Sequence, residues 1–235
     1  MTRAASRRAN GFGVVFDLDG TLTDNMALHQ RAFEVFLSKH GLPPLTPELR
    51  RRLDGKRNRD IFPILFAREL DDATQRAFAD EKESLYRELS RGRLVPLPGL
   101  VELLGHLARR NVPAAVATSS PSENVDHTLR ELALAASFAA VARADDVTHG
   151  KPYPDVFLLA AKRLGVAPER CIAFEDAPVG IEAARRAGMT CVALTTSFPA
   201  GVFTSHPIAP HHVVRDYAEF LAGPGRDLGK REGRR

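Results

Sequence analysis

The chain has 235 residues, of which 44 % are hydrophobic and 26 % are charged, a composition typical of a globular protein with a buried core. No apolar run approaches the roughly 20 residues of a membrane-spanning helix, so we expect no membrane association. The net charge of +4 comes from two basic tails, residues 1–10 and 224–235, which we expect to be disordered. Since the body between them is not basic, we predict no nucleic-acid partner.

The cysteines indicate the compartment. Cys171 and Cys191 lie 20 positions apart in apolar runs, which is typical of buried free thiols rather than of a disulfide or a zinc site. The N-terminus lacks the apolar segment of a signal peptide. We therefore predict a cytoplasmic protein, and we expect it to be a monomer.

Short apolar runs alternate with amphipathic helical segments along most of the chain. We predict strands at residues 13–16, 112–118, 138–141, 171–174, 190–194 and 213–214. Helices are predicted between them at residues 98–110, 123–132, 155–164 and 179–187. This alternation is typical of α/β proteins, so we predict a doubly wound parallel sheet with a Rossmann-like core.

A helical block interrupts the alternation directly after the first strand. Apolar residues at helical spacing predict helices at residues 24–41, 47–53, 60–69 and 72–89. Pro63 falls in the first turn of its predicted helix, where proline is tolerated. We predict a core domain of residues 11–23 and 93–220, with an all-helical domain of residues 24–92 inserted into it.

Polar residues collect just past the predicted strand ends. They are Asp17 and Asp19 after the first strand, Thr118, Ser119 and Ser120 after the second, Lys151 beyond the third, and Glu175 and Asp176 after the fourth. Each of them alone is readily explained as a turn or a helix cap. Because parallel sheets bind ligands at the carboxyl ends of their strands, the whole set indicates a functional site.

The chemistry of this set favours phosphoryl transfer. Oxygens from Asp17, Asp19 and Asp176 suit Mg²⁺, a hard cation that also binds substrate phosphate, and no histidine or cysteine lies near them to favour zinc. An aspartate can attack phosphorus to form an aspartyl-phosphate. Lys151 and the cation would offset the repulsion between that nucleophile and an anionic phosphate.

The same residues, in this order and spacing, resemble the four motifs of the haloacid dehalogenase superfamily. The motifs are Asp17-Leu18-Asp19-Gly20-Thr21, Thr118, Lys151-Pro152, and Glu175-Asp176 within the stretch 174–181. The resemblance covers about residues 13–195. It is strongest to the branch with β-phosphoglucomutase and small sugar-phosphate phosphatases, whose members carry a helical cap after the first motif.

The resemblance implies roles for the two aspartates of the first motif. Asp17 would be the nucleophile and a metal ligand. Asp19 would be the general acid and base, with its backbone carbonyl on the metal, a function that contributes roughly 10²–10⁴-fold. Dehalogenases that resemble this family need no metal and lack the second aspartate, so the presence of Asp19 implies phosphate chemistry instead.

The later motifs imply phosphate and metal binding. Thr118 and the backbone N–H of Ser119 would hold the transferring phosphate, and Lys151 would bridge phosphate and nucleophile. Asp176 would bind Mg²⁺, with Glu175 as a direct or water-mediated partner.

The resemblance places substrate choice in the cap. His29 aligns with a histidine at the start of the first cap helix, and Lys82 aligns with a cap lysine that faces the site. For both residues, a place on a solvated helix surface is the alternative. Residues 53–60 resemble the substrate-specificity loop, in which the mutase carries a phosphate-binding arginine. That position is Asn58 here, although a shift of one residue would let Arg57 or Arg59 serve.

The sequence therefore predicts a Mg²⁺-dependent phosphatase that hydrolyses a small phosphorylated metabolite, such as a sugar phosphate, through an aspartyl-phosphate. The alternative is a phosphomutase similar to β-phosphoglucomutase. A third possibility is a non-catalytic sensor of a phosphorylated ligand, which the intact Asp17, Asp19 and Lys151 disfavour.

Overall fold

The computed structural model describes residues 11–226. The predicted tails therefore lie mostly outside the described residues, which exclude 1–10 and 227–235. Residues 224–226 are described, and Gly225 is buried and donates its N–H to Phe220 O at 2.7 Å. These three residues fold back on the preceding helix.

The centre of the molecule is a parallel sheet. Within residues 11–226 its strands are β1 (Gly13–Phe16), β2 (Ala114–Ala117), β3 (Ala140–Ala142), β4 (Cys171–Glu175), β5 (Thr190–Leu194) and β6 (His212–Val214). They lie in the order β3-β2-β1-β4-β5-β6, and every neighbouring pair is parallel. The sheet with its flanking helices confirms the predicted α/β fold.

Helices cover both faces of this sheet. Those that follow β1 in the chain are α1 (Met26–Lys39), α2 (Pro47–Leu53), α3 (Asn58–Phe66), α4 (Asp72–Ser90), α5 (Leu100–Arg109), α6 (Ser122–Glu131), α7 (Asp155–Leu164), α8 (Pro178–Arg186), α9 (Ala200–Thr204) and α10 (Tyr217–Ala222). Helices α5, α6 and α10 pack on the face that carries Val14 and Phe16, whereas α7, α8 and α9 pack on the face of Val15. Burial on both faces explains why β1 is an uninterrupted apolar run.

The helices α1–α4 build a separate apolar core. Phe36 lies at its centre, with its ring centroid 5.3 Å from that of Phe62 and 5.6 Å from that of Phe78. The aromatic stripes that predicted these helices are thus buried against one another. The block spans residues 26–90 between β1 and β2, and we call it the helical insert.

Two features of the helices differ from the prediction. Helix α3 begins at Asn58, two residues earlier than predicted, so Pro63 lies inside the helix and not in its first turn. Helices α9 and α10 were not predicted, because five or six residues carry too little periodicity. Asp216 is an N-cap residue of α10: its side chain accepts a hydrogen bond from the Glu219 N–H at 2.9 Å. An aspartate at this position is a typical signal for the start of a helix.

Two simpler predictions can be checked against residues 11–226. Cys171 and Cys191 are buried and free, as predicted. No helix in this range is both long and apolar enough to cross a membrane.

Candidate active site

The register of the sheet brings the predicted residues to one edge. Phe16, the last residue of β1, pairs with Val116 of β2 and with Phe174 of β4, so the three strands end at nearly the same level. The Asp17 N–H continues this ladder by donating to Phe174 O at 3.0 Å. The polar residues that follow the three strands are therefore neighbours in space, as the sequence predicted.

Lys151 links two of the strand ends. Its Nζ donates to Asp17 Oδ1 at 2.6 Å and to Glu175 Oε1 at 2.5 Å, and the side chain is buried. Burial alone would lower the pKa of this lysine, but the two carboxylates outweigh it and raise the pKa above its ordinary value. The ammonium group therefore stays charged at neutral pH, beside an oxygen of the predicted nucleophile.

Three buried carboxylates meet around this lysine. Asp17, Glu175 and Asp176 each present an oxygen, and these oxygens lie within 4.8 Å of one another. Burial and the nearby carboxylates raise the pKa of Asp17, and Lys151 lowers it. The raising effects are larger, so the pKa is about 7. Burial and the charges of Glu175 and Asp17 also raise the pKa of Asp176.

This donor set fits a hard divalent cation. A single ammonium group faces three buried carboxylates, so their mutual repulsion is incompletely offset within the described residues. Oxygen ligands of this kind are those that Mg²⁺ prefers, and a cation among them would lower the raised pKa values. Asp17, Glu175 and Asp176 are thus the residues that could hold a metal ion.

Two glycines make room for the cluster. Gly180 lies in the first turn of α8, where a Cβ atom would overlap the carboxylate of Glu175. That carboxylate also accepts the N–H groups of Asp176 and Ala177 through Oε2, at 2.7 and 2.8 Å. Gly20 has a φ of +73°, and a Cβ atom there would strike Asp176.

Asp19 has a different environment from the cluster. Asn25 Nδ2 donates to its Oδ1 at 2.6 Å, the Ser120 hydroxyl donates to its Oδ2, and His29 Nε2 lies 3.3 Å from Oδ1. Burial would raise the pKa of Asp19, but the His29 ring, Ser120 and Asn25 outweigh it and hold the pKa below its usual range. Its carboxylate lies outside the group of three that could hold a metal.

His29 and Lys82 belong to the same site. The His29 ring stacks on Tyr86 with 3.7 Å between centroids, and Lys82 Nζ lies 3.0 Å from His29 Nδ1. Because an ammonium group can only donate, Nδ1 is the acceptor and the ring proton is on Nε2, facing Asp19. Both residues are buried and line the cavity, so the alternative of a solvated helix surface is wrong for them.

The second strand end provides hydroxyl and backbone groups. Thr118 is buried, and its Oγ1 accepts the Ser120 N–H at 3.0 Å. The Ser119 hydroxyl donates to Gly55 O of the helical insert at 2.9 Å. The Ser119 N–H makes no hydrogen bond within the described residues and is available to a ligand.

Arg57 and Asn58, two of the predicted substrate-binding residues, are adjacent in sequence at the start of α3, but only one of them lines the cavity. Asn58 lines the cavity, and its Nδ2 donates to Glu83 Oε1 at 2.7 Å. Arg57 is not among the residues that line the cavity. Its guanidinium binds Asp60 at 2.9 Å and Thr148 O at 3.1 Å, which holds it outside.

A cleft that is open to solvent lies between the helical insert and the sheet edge. No role there was predicted for Asn25, Tyr86 or Glu83, and Ser120 was predicted only as a member of the polar set after the second strand. Ser120 continues a Thr-Ser-Ser run and Glu83 directly follows Lys82, so both had a weak signal. Asn25 and Tyr86 had none, because their importance comes from a hydrogen bond of 2.5 Å between Asn25 Nδ2 and the Tyr86 hydroxyl.

The carboxylates and the lysine thus lie at the carboxyl edge of a parallel α/β sheet, where proteins of this class bind their ligands. Residues 13–188 match the sequence model of the haloacid dehalogenase-like hydrolases, which covers more than half of the chain. The chain belongs to this family and is an enzyme of it, which confirms the resemblance found in the motifs.

Relatives of known name fall in the same branch. Fructose-1-phosphate phosphatase YqaB of Escherichia coli (strain K12) is 38 % identical over 180 residues, which are 77 % of this chain and 94 % of that protein. Beta-phosphoglucomutase of Bacillus subtilis (strain 168) is 33 % identical over 195 residues, 79 % of this chain and 84 % of that one. The crystal structure of a hydrolase from Pseudomonas syringae matches with a TM-score of 0.81 and 29 % identity, covering 92 % and 98 % of the two chains.

Proposed function

We propose that the protein is a Mg²⁺-dependent phosphatase that hydrolyses a small phosphorylated carbohydrate through an aspartyl-phosphate. The observation that carries the proposal is the buried contact of Lys151 with Asp17 Oδ1 at 2.6 Å, beside two further carboxylates. The similarity to a phosphatase named for fructose 1-phosphate supports the choice of a sugar phosphate as substrate.

In the first step, Asp17 attacks phosphorus. Lys151 occupies Oδ1, and no hydrogen bond within residues 11–226 occupies Oδ2, which leaves Oδ2 to form the new bond. The Thr118 hydroxyl and the Ser119 N–H hold the phosphate oxygens, and Lys151 offsets their negative charge. The bond from phosphorus to the ester oxygen breaks, and that oxygen leaves with a proton from Asp19.

In the second step, Asp19 acts as a base. It removes a proton from a water molecule, whose oxygen attacks the aspartyl-phosphate, and Asp17 and inorganic phosphate are released. Its hydrogen-bond donors hold Asp19 ionised, so the proton for the first step arrives with the substrate, as the proton of a phosphate monoanion that passes to Asp19. Asn25, Ser120 and His29 keep its carboxylate in position for both transfers.

Mg²⁺ is proposed as the metal because every donor in the cluster is an oxygen. Asp17 and Asp176 would bind it, with Glu175 directly or through water and the Asp19 backbone carbonyl as a further ligand. When bound, it supplies positive charge that offsets the repulsion between carboxylates and phosphate.

The helical insert is proposed as a cap that selects the substrate. The proposed core domain consists of residues 11–23 and 93–220, and the proposed cap domain of residues 24–92. Ser119 in the core and Gly55 in the insert contact each other across the cavity. His29, Asn58 and Lys82 lie on the insert side, where they would contact the carbohydrate.

The second candidate is a phosphomutase, favoured by the similarity to beta-phosphoglucomutase. Both functions use the same core residues, and they differ in whether a bisphosphate intermediate stays in the site. The placement of Asn58 and Arg57 described above supports the phosphatase.

The test is phosphate release from a panel of sugar phosphates, phosphoglycolate and nucleotides, with Mg²⁺ and with EDTA. We expect Mg²⁺-dependent release from one or more sugar monophosphates. Binding of a sugar phosphate without any turnover would refute the proposal and favour a sensor. Conversion to an isomeric sugar phosphate without release would favour the mutase.

A further inference from the structure

The insert side of the cavity carries a buried acid that the proposed mechanism does not use. Glu83 on α4 lines the cavity and is only 5 % exposed. Its carboxylate accepts three hydrogen bonds, from Lys82 Nζ at 2.9 Å, Asn58 Nδ2 at 2.7 Å and Asn124 Nδ2 at 2.6 Å. A buried acid with all these donors is a fixed charge in the wall of the site.

A contact with the core holds this carboxylate in place. Asn124 is fully buried on α6, and its Oδ1 accepts a hydrogen bond from Arg87 Nη1 at 2.8 Å. The amide is therefore oriented by two residues of α4, Glu83 and Arg87. Burial would raise the pKa of Glu83, but the charge of Lys82 and the hydrogen bond from Asn58 hold it below its ordinary value, so the side chain is an anion at neutral pH.

This anion changes what the neighbouring groups offer to a ligand. The charge of Lys82 is neutralised at 2.9 Å, and one of the two amide N–H groups of Asn58 is already used by Glu83. Asn58 Oδ1 has no hydrogen bond within the described residues and remains an acceptor. Lys82 has one N–H left after His29 and Glu83. With the second N–H of Asn58, the set offers one acceptor and two donors. These suit hydroxyl groups, which both donate and accept, whereas a phosphate needs uncompensated cations.

Two other cations line the cavity, Arg50 and Lys56, and they are the alternative groups that could bind a second phosphate. Arg50 donates to Gln30 and lies 3.7 Å from Asp54, so its charge is also shared. Lys56 lines the cavity and has no acidic partner within residues 11–226. It lies on the loop before α3, two positions before Asn58, and none of the hydrogen bonds of Glu83 within the described residues involves it.

We infer that Glu83 is a specificity-determining residue: by neutralising Lys82 and binding Asn58, it makes the cavity accept a sugar monophosphate with an uncharged polyhydroxyl end and disfavour a sugar bisphosphate. The inference rests on the proposed function in one respect: the reacting phosphate binds beside Asp17 and Lys151 at the sheet edge. It deepens that function by naming the substrate class.

The test measures binding and not turnover, so that it is independent of catalysis. Fructose 1-phosphate and fructose 1,6-bisphosphate differ only in the second phosphate. Their dissociation constants are measured by calorimetry with Mg²⁺ in an Asp17→Asn background, which blocks hydrolysis. We expect the monophosphate to bind about tenfold or more tightly, and Glu83→Gln to reduce that preference by about tenfold, the effect of one freed charge-assisted hydrogen bond.

Two further variants keep the inference falsifiable. Glu81→Gln is the matched control, because Glu81 is on the same helix but pairs with Lys39 and His40 away from the cavity. It should leave the preference unchanged. If Glu83→Gln fails to fold, Asn58→Arg, at a half-buried position, should reduce the preference in the same direction.

The outcomes separate this inference from the proposed function. Equal or tighter binding of the bisphosphate to the Asp17→Asn protein would overturn the inference and point to Lys56 or Arg50. An unchanged preference in both the Glu83 and Asn58 variants would also overturn it. Either result leaves the phosphatase standing if the native enzyme releases phosphate from sugar monophosphates.

Discussion

The two sides of the cavity handle charge in opposite ways. At the sheet edge, Asp17, Glu175 and Asp176 share one lysine, so carboxylate charge remains in excess. On the helical insert, Lys82 has its own carboxylate at 2.9 Å. The first side is suited to a cation and a phosphate, whereas the second is suited to a neutral part of the substrate. The difference supports the proposal that the reaction takes place in the core and that the insert selects the substrate, and experiments can test each side alone.

The largest effect should come from removing the nucleophile. Asp17→Asn keeps the shape of the side chain but weakens its attack on phosphorus, so we expect turnover to fall by on the order of 10⁴-fold or more. Phosphate release measures the activity, and circular dichroism checks that the fold is intact. Turnover close to that of the native enzyme would contradict the assignment of Asp17.

Removal of the metal tests the excess of carboxylates directly. We expect EDTA to abolish turnover and added Mg²⁺ to restore it. Asp176→Ala removes one of few ligands, so the Mg²⁺ concentration for half-maximal activity should rise by roughly 10–100-fold. Activity that survives exhaustive chelation would contradict a metal site at this edge.

The same excess of carboxylates predicts a pH-dependent stability of the metal-free protein. Because the pKa of Asp17 is about 7 in the folded state and 3.8 ordinarily, the folded protein holds a proton between these values that the unfolded chain has lost. The free energy of unfolding should therefore fall as the pH rises from 5 to 8, and the raised pKa of Asp176 acts in the same direction.

Thermal melting in EDTA measures this effect. We expect the melting temperature to fall by a few degrees across that range, with a smaller fall in Asp17→Asn. Saturating Mg²⁺ should reduce the fall in the native chain, since the cation stabilises the ionised carboxylates. A melting temperature that rises with pH in EDTA would contradict the raised pKa values.

The contrast between the two sides also explains what the sequence could predict. The sheet edge follows from short-range rules: apolar runs mark the strands, and the residues just after them meet because parallel strands end together. Lys151, Glu175 and Asp176 were therefore predicted together with Asp17. The prediction of Mg²⁺ rests on the same local chemistry.

The insert side could not be derived in this way. Glu83 meets Asn58 and Asn124 across 25 and 41 positions of sequence, and no motif links the three residues. Arg57 and Asn58 are adjacent in the chain, yet only Asn58 lines the cavity, because Asp60 and Thr148 O hold Arg57 outside. Such contacts depend on how helices pack, which periodicity does not determine.

The smallest effect concerns the choice between phosphatase and mutase. Asn58 cannot form the charge-assisted, bidentate contact that an arginine makes with phosphate. A bisphosphate should therefore be hydrolysed or released before it can turn around in the site. We expect β-glucose 1-phosphate, if it is a substrate, to yield mainly free phosphate, and added β-glucose 1,6-bisphosphate not to stimulate formation of glucose 6-phosphate.

Asn58→Arg sharpens this last prediction, because it adds a cation on the insert side while the sheet edge is unchanged. Formation of glucose 6-phosphate should rise by a few-fold, limited by Glu83, which stays within reach of the new guanidinium and competes with the second phosphate for it. A coupled dehydrogenase assay separates glucose 6-phosphate from free phosphate. Efficient, bisphosphate-primed formation of glucose 6-phosphate by the native enzyme would contradict the preference for a phosphatase. Arg57→Ala and Arg59→Ala would then identify the residue that binds the second phosphate, and for Arg57 this would require its contacts with Asp60 and Thr148 to break.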